Sequence, residues 1–220
     1  MEEALKQKPI NIVKIVLFGP ESSGKTTLSK QLARHYNTVW APEFAREYLQ
    51  NKWNNERKTC ENSDLLPIAR GQMKLENELA EKADKILICD TDLLETKVYS
   101  EEYYGGFVDT ELEKAAIENT YDLYLLTYID TPWEEDDLRD RPDLRLEMFQ
   151  AFENTLKKYH RPYILLKGNK QTRFEYATLE IDKILKEKTN LKSFSKNLSD
   201  LDLHFLHQQN SDLNFNTNDY

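Results

Sequence analysis

The eight residues Gly19-Pro20-Glu21-Ser22-Ser23-Gly24-Lys25-Thr26 constrain this chain more than any other stretch of it. They match G-x-x-x-x-G-K-[ST] at every fixed position. They lie between an apolar run with strand character, NIVKIVLFG, and an amphipathic segment, GKTTLSKQLARHY, in which Leu28, Leu32 and Tyr36 mark one helical face. A strand that feeds a helix through such a loop points successive backbone N–H groups, and the helix N-terminus, at an anion. In that reading the loop from Gly19 through Glu21, Ser22, Ser23 and Gly24 wraps the phosphates of ATP, with Thr27 beside it. Lys25 reaches the β- and γ-phosphates and the Thr26 hydroxyl ligates Mg²⁺.

The remaining pattern alternates strands and helices. TVWA, KILIC, YLLTYI (124–129) and YILLKG (163–168) read as further strands, giving five in all. A helix begins near Glu43. The polar stretch NKWNNERKTCENSD (51–64) predicts a loop, after which Ser63 caps a long helix with Ile68, Leu75, Leu79 and Ala83 on one face. Gly105 and Gly106 stop the helix DLLETKVYSEEYY. The expectation is a P-loop NTPase-type α/β fold, a mainly parallel five-stranded sheet with helices on both faces. Residues 1–188 form its domain, and 189–220, rich in Asn, Ser and Asp, form a mobile tail with at most a short docking helix around LDLHFLHQ.

Composition narrows the partners. A formal charge of −9 excludes a broad basic face for nucleic acid. No segment approaches the apolar length of a membrane span. The N-terminus carries no leader pattern, and Cys60 and Cys89 form no metal or disulfide motif, so a cytoplasmic protein is expected.

ILICDTD places Asp90 at the end of a buried strand. There a carboxylate holds Mg²⁺ through water or accepts a proton from an attacking hydroxyl; Asp92 reads equally well as a helix cap. GNKQTR (168–173) imitates a guanine-reading N-K-x-D, but Thr172 stands where the Asp is required. D-T-D lacks the second-position Glu that motor and AAA-type ATPases use to polarise water. Glu43, Arg46 and Glu47 follow a short strand, where an open α/β sheet has its substrate crevice. DTPWEEDDLRDRPDLR concentrates Arg139, Arg141 and Arg145 in a segment suited to closing over ATP.

Taken together, GPESSGKTTL, PEFAREYL, ILICDTD and IDTPWEEDDLR resemble the nicotinamide riboside kinase domain of the NadR family, in order and spacing, from about Val13 to Lys186. The resemblance implies transfer of the γ-phosphoryl group of ATP to the 5′-hydroxyl of nicotinamide riboside. It implies that Lys25 and Thr26 serve ATP and Mg²⁺, that Asp90 sits beside metal and acceptor, and that Glu43, Arg46 and Asp92 face the riboside. Arg139 and Arg145 would belong to the lid, with Gly168 and Arg173 near adenine. No H-x-G-H adenylyltransferase motif is present, so a stand-alone kinase is expected. Pro42 stands where the family often has Trp, with the nearest at Trp40. Trp40, Phe44 and Trp133 are candidate faces for a cationic pyridinium, with Glu43 its carboxylate. Two other readings stay open: a kinase for another nucleoside, and an ATP-binding regulatory module that hydrolyses slowly.

Overall fold

A computed structural model describes residues 2–138 and 142–213. Five strands form one sheet in the order β2-β3-β1-β4-β5, and every pairing is parallel. They are β1 (Val13–Phe18), β2 (Trp40–Ala41), β3 (Ile86–Cys89), β4 (Leu123–Thr127) and β5 (Tyr163–Leu166). β1 is central and buried at all of its positions. A strand covered on both faces has no wet side, which is why it reads as a continuous apolar run rather than an alternating one. The P-loop NTPase-type α/β fold is thus the observed one.

Lys14 is the exception inside β1, and it explains a difference in α3 (Asn62–Ala80). Its ammonium lies 3.0 Å from Glu76 Oε1, and Glu76 Oε2 accepts from Tyr121 Oη at 2.7 Å. Glu76 is therefore fully buried, and the inner stripe of α3 runs through Leu65, Ile68, Ala69, Gln72, Met73, Glu76 and Ala80. Leu75 and Leu79, expected on that stripe, sit at its margin, and Ala83 lies beyond the helix end. Apolar periodicity cannot find a helix face that is turned inward by a buried acid.

The loop expected over 51–64 is largely helical. α2 (Phe44–Glu56) runs on through Asn51 and Trp53, and α3 begins at Asn62 with Glu61, not Ser63, as its N-cap. Polar residues here make tertiary ties. Lys52 Nζ bridges Glu61 Oε2 at 2.7 Å and Asp64 Oδ2 at 2.5 Å, and the same Asp64 oxygen accepts from Glu61 N at 2.7 Å.

α2 is seated on α3 through one close approach. A Cβ built on Gly71 would stand 2.1 to 2.4 Å from three atoms of the Phe44 ring. Gln72 completes the joint: its Oε1 accepts from Phe44 N at 2.8 Å and its Nε2 donates to Pro42 O at 3.3 Å. Gly71→Ala is therefore expected to unseat Phe44 and cost about 1–3 kcal/mol through overpacking. A thermal melt would read this, and an unchanged midpoint would show that the ring moves without strain.

The other helices are α1 (Lys25–His35), α4 (Leu93–Tyr103), α5 (Thr110–Glu118), α6 (Arg145–Lys158) and α7 (Lys170–Leu213). Gly105 and Gly106 follow α4 with positive φ, as the stop signal requires. Cys89 is fully buried in β3, and burial pushes its thiol well above the ordinary range. Among the described residues, those up to 181 belong to one compact unit and 182–213, helical through Leu213, to a second, where a tail was expected from 189. No described helix is long and apolar enough to cross a membrane.

Candidate active site

The loop leaves β1 at Phe18 and enters α1 at Lys25, so it sits at the carboxyl end of the central strand. Asp90 follows β3 and Glu43 follows β2, at the same edge of the sheet. This is where strand order reverses around β1, and the crevice such a reversal opens is the standard ligand position in open parallel sheets.

The loop is held in shape before any ligand arrives. Gly19 has φ +138°, and a Cβ there would meet Thr127 Oγ1 at 2.8 Å and Thr127 O at 2.9 Å. Only glycine lets the loop press against the end of β4. Ser23 is buried, with its hydroxyl donating to Pro20 O at 2.6 Å and paired with Thr127 Oγ1 at 2.7 Å. Ser22 adopts φ +56°, unusual for a residue with a side chain, and four hydrogen bonds hold it there. Its carbonyl accepts from Thr131 Oγ1 at 2.8 Å and Arg145 Nη2 at 3.2 Å, and its hydroxyl accepts from Glu134 N at 2.8 Å and donates to Pro132 O at 3.5 Å.

Lys25 lies folded into its own loop. Its Nζ donates to Gly19 O at 2.5 Å and Pro20 O at 3.2 Å and stands 3.1 Å from Glu95 Oε1. Burial opposes the charge, but Glu95, then Glu43 and Asp90, hold the ammonium above its ordinary range. Asp90 is 1% exposed and its Oδ1 accepts from Ser29 Oγ at 3.0 Å. Burial pushes its carboxyl up to about 7, with the Thr26 hydroxyl pulling it down and Glu43 adding to the rise. Thr26 and Thr27 are exposed at the start of α1.

Glu43 caps the start of α2 with its backbone while its side chain, half-buried, adds to the charge around Lys25 and Asp90. Arg46, one turn on, forms a two-pronged pair with Asp136, at 3.2 Å from Nη1 and 2.6 Å from Nη2. That hydrogen bonding, against a burial cost, raises the guanidinium above its usual range. Gln50 Nε2 donates to Asp137 Oδ2 at 3.2 Å. α2 is thus tied to the 131–138 segment, a link invisible in the sequence.

Asp92 is placed differently from a riboside contact. One oxygen caps α4, accepting from Glu95 N at 2.9 Å, and the other accepts from the buried Tyr124 hydroxyl at 2.8 Å. Burial pushes its carboxyl up to about 7 against both bonds. Of the two readings offered for Asp92, this geometry uses the cap.

Arg173 is 4% exposed and braces the loop from behind. It donates to Ser23 O at 2.6 Å, Tyr128 O at 2.8 Å and Gly168 O at 3.0 Å, and it pairs with Asp130. All three of its guanidinium nitrogens therefore have protein partners. Asn169, in the stretch that imitates a guanine reader, accepts from Thr172 N at 2.9 Å at the opening of α7. Arg145 reaches Thr131 O at 3.0 Å besides Ser22, and its guanidinium lies 5.6 Å from the Trp133 ring centre. Burial lowers its pKa. Arg139 and Arg141 lie outside the described residues. Trp40 carries Lys30 at 5.2 Å over its ring, and Phe44 is committed to Gly71.

Glu95 is the residue that sequence reasoning missed. It stands three places after Asp92, the spacing of a capping-box acid at a helix start, and that pattern supplies a sufficient local reason for it. Yet the side chain turns to Lys25 instead of back to the cap.

Asp90 and Thr26 offer a carboxylate and a hydroxyl side by side, hard oxygen donors of the kind Mg²⁺ accepts. No group of three or more His, Cys, Asp or Glu that could hold a metal occurs among the described residues.

One relative is the trifunctional NAD biosynthesis/regulator protein NadR of Salmonella typhimurium, 32% identical over 135 residues. The match takes in 60% of this chain and 32% of the relative, so the chain spans about a third of that protein's length. A NadR crystal structure in complex with NR superposes with a TM-score of 0.66 at 21% identity, covering 79% of this chain and 51% of the other. Deoxyadenosine kinase from M. mycoides shares the fold over its whole length, with a TM-score of 0.57 at 16% identity over 78% of this chain. A family model described as an AAA domain matches residues 14–173. The missing Glu beside Asp90 therefore argues about water activation, and does not set the chain apart from that family. On the evidence of that match the chain belongs to the AAA_28 family of AAA domains, and within it is NadR-like.

Proposed function

We propose that this protein transfers the γ-phosphoryl group of ATP to the 5′-hydroxyl of nicotinamide riboside, giving nicotinamide mononucleotide. The observation that carries the reading is two chemistries brought to one lysine. A preformed phosphate loop presents Lys25, and the carboxylates Glu43 and Asp90 converge on that lysine from the ends of two neighbouring strands. Carboxylates crowded against a phosphate site repel the nucleotide, so they serve an acceptor that donates hydrogen bonds or carries positive charge. The likeness to NadR supports the acceptor's identity.

In this mechanism the 5′-hydroxyl oxygen attacks the γ-phosphorus in line. The new P–O bond forms as the bond to the β–γ bridging oxygen breaks, and ADP departs with that electron pair. The hydroxyl's proton passes to a carboxylate. Asp90, pushed up to about 7, is part ionised near neutral pH, and its ionised form is the first choice to take that proton, with Glu43 second. Thr26 and Asp90 would hold Mg²⁺, which when bound neutralises charge on the phosphates. Arg145 keeps the 131–134 segment fastened to Ser22, and Arg139 belongs to the same closing segment. Arg173 acts on ATP through the loop it braces. The kinase unit is residues 1–188, and with both cysteines free it suits a reducing, cytoplasmic setting.

ADP release from Mg-ATP tests this across nicotinamide riboside, uridine, cytidine, thymidine and water alone. Stimulation by nicotinamide riboside with the mononucleotide as product is expected. A better neutral nucleoside would move the acceptor, and a water rate throughout would favour the regulatory module. Glu43→Gln should raise the KM for the riboside about tenfold or more while that for ATP changes little, because one charged hydrogen bond to the acceptor is lost. Equal effects on both substrates would remove Glu43 from the acceptor side.

A further inference from the structure

Glu95 poses a problem that the proposed reaction does not solve. It is 2% exposed, and among the described residues its carboxylate is served by Lys25, 3.1 Å from Oε1, and by no other hydrogen-bond donor. Burying a carboxylate without hydrogen bonds is costly, and an ion pair offsets that cost only while the counterion stays. Lys25 is the one residue in this pocket whose proposed work requires it to leave, since its ammonium must turn outward to the β- and γ-phosphates.

We infer that Glu95 is a positioning residue that exchanges partners: it holds Lys25 in the ligand-free protein, and once ATP draws Lys25 away it takes a hydroxyl of the acceptor. The exchange makes ATP and acceptor bind synergistically. Three features support it. Lys25 donates to Gly19 O and Pro20 O as well as pairing with Glu95, so its ammonium is engaged by its own loop and by one buried acid. Glu95 sits on α4 one turn after Asp90, at the carboxyl end of β3, on the side of the pocket where Glu43 also contributes its charge. And Asp92, which could otherwise have been a partner for the acceptor, is already used by Glu95 N and Tyr124. Beside Asp90, which faces the reacting hydroxyl in the proposed mechanism, Glu95 is a second buried carboxylate with acceptor capacity to spare.

This inference rests on the phosphotransfer reading, and the test separates the two. The full chain and Glu95→Gln would be titrated calorimetrically with a non-hydrolysable ATP analogue and Mg²⁺, with and without nicotinamide riboside. The analogue alone should bind Glu95→Gln about tenfold more tightly, because Lys25 no longer has to leave a charged partner. In the parent protein the analogue should tighten riboside binding about tenfold, and in Glu95→Gln that coupling should fall to near unity. Glu95→Asp, which keeps the charge but withdraws it, should fall between the two and serves if the Gln variant does not fold.

Unchanged analogue affinity in both variants overturns the hold of Glu95 on Lys25. Riboside coupling that survives Glu95→Gln overturns the exchange, as does uptake of a proton with the analogue in place of synergy, read from heats in buffers of different ionisation enthalpy. If riboside binds the parent protein in neither state, the assignment of the acceptor has failed. The first arm still reads the hold of Glu95 on Lys25 by itself.

Discussion

Lys25→Ala should lower turnover about 10³-fold or more, because it removes the cation that meets charge developing on the transferred group. The structure adds a complication to this expected result. Lys25 is also the partner of a buried acid, so its removal strands Glu95 without a counterion. Breaking one side of a buried pair costs stability on its own. Lys25→Ala should therefore melt earlier than the parent, and adding Glu95→Gln should recover most of that loss while recovering none of the turnover. The double variant separates the two effects as a thermodynamic cycle. A double variant that regains turnover would mean that Lys25 never touches the reacting phosphate.

Asp90→Asn carries the second large effect, and it runs in opposite directions for activity and stability. Turnover should drop about 10²-fold or more, since the amide can neither accept the hydroxyl proton nor offer charge to the metal. Stability should rise. The folded carboxyl is pushed up to about 7 from an ordinary value of 3.8, so between those values the folded protein holds a proton that the unfolded chain has lost. Stability contributed by this group therefore falls as pH rises through that window. In metal-free buffer the melting temperature of Asp90→Asn should exceed that of the parent by a margin that widens from about pH 4 to about pH 7 and then levels. A constant margin would mean that Asp90 titrates normally.

The phosphate loop and the five strands were legible because their signals are local. G-x-x-x-x-G-K-T between a strand and a helix specifies backbone geometry directly, and Gly19 against Thr127 shows why a glycine is required at its first position. The surroundings of the loop were legible only in outline. Glu43 and Asp90 could be placed from their position after strands. The bond of Arg46 to Asp136 could not, because ninety positions separate two charged residues that each read as solvated surface. Residues 51–64 were mistaken for a loop for a related reason. Lys52, Glu61 and Asp64 are polar because they bind one another across two helices. Glu95 was hidden differently, by a local pattern that explained it too well.

Arg173 has a consequence for the order in which this protein becomes competent. The loop that defines the chain is complete at residue 26, yet the guanidinium that fastens its Ser23 carbonyl to the ends of β4 and β5 arrives nearly 150 residues later. Contacts of that separation close last, since the chain between them must be ordered first. A nascent chain thus carries its phosphate-loop motif for nearly 150 residues before the brace that sets its shape is made. The shape of the loop is in this sense owed to a residue remote from it in sequence.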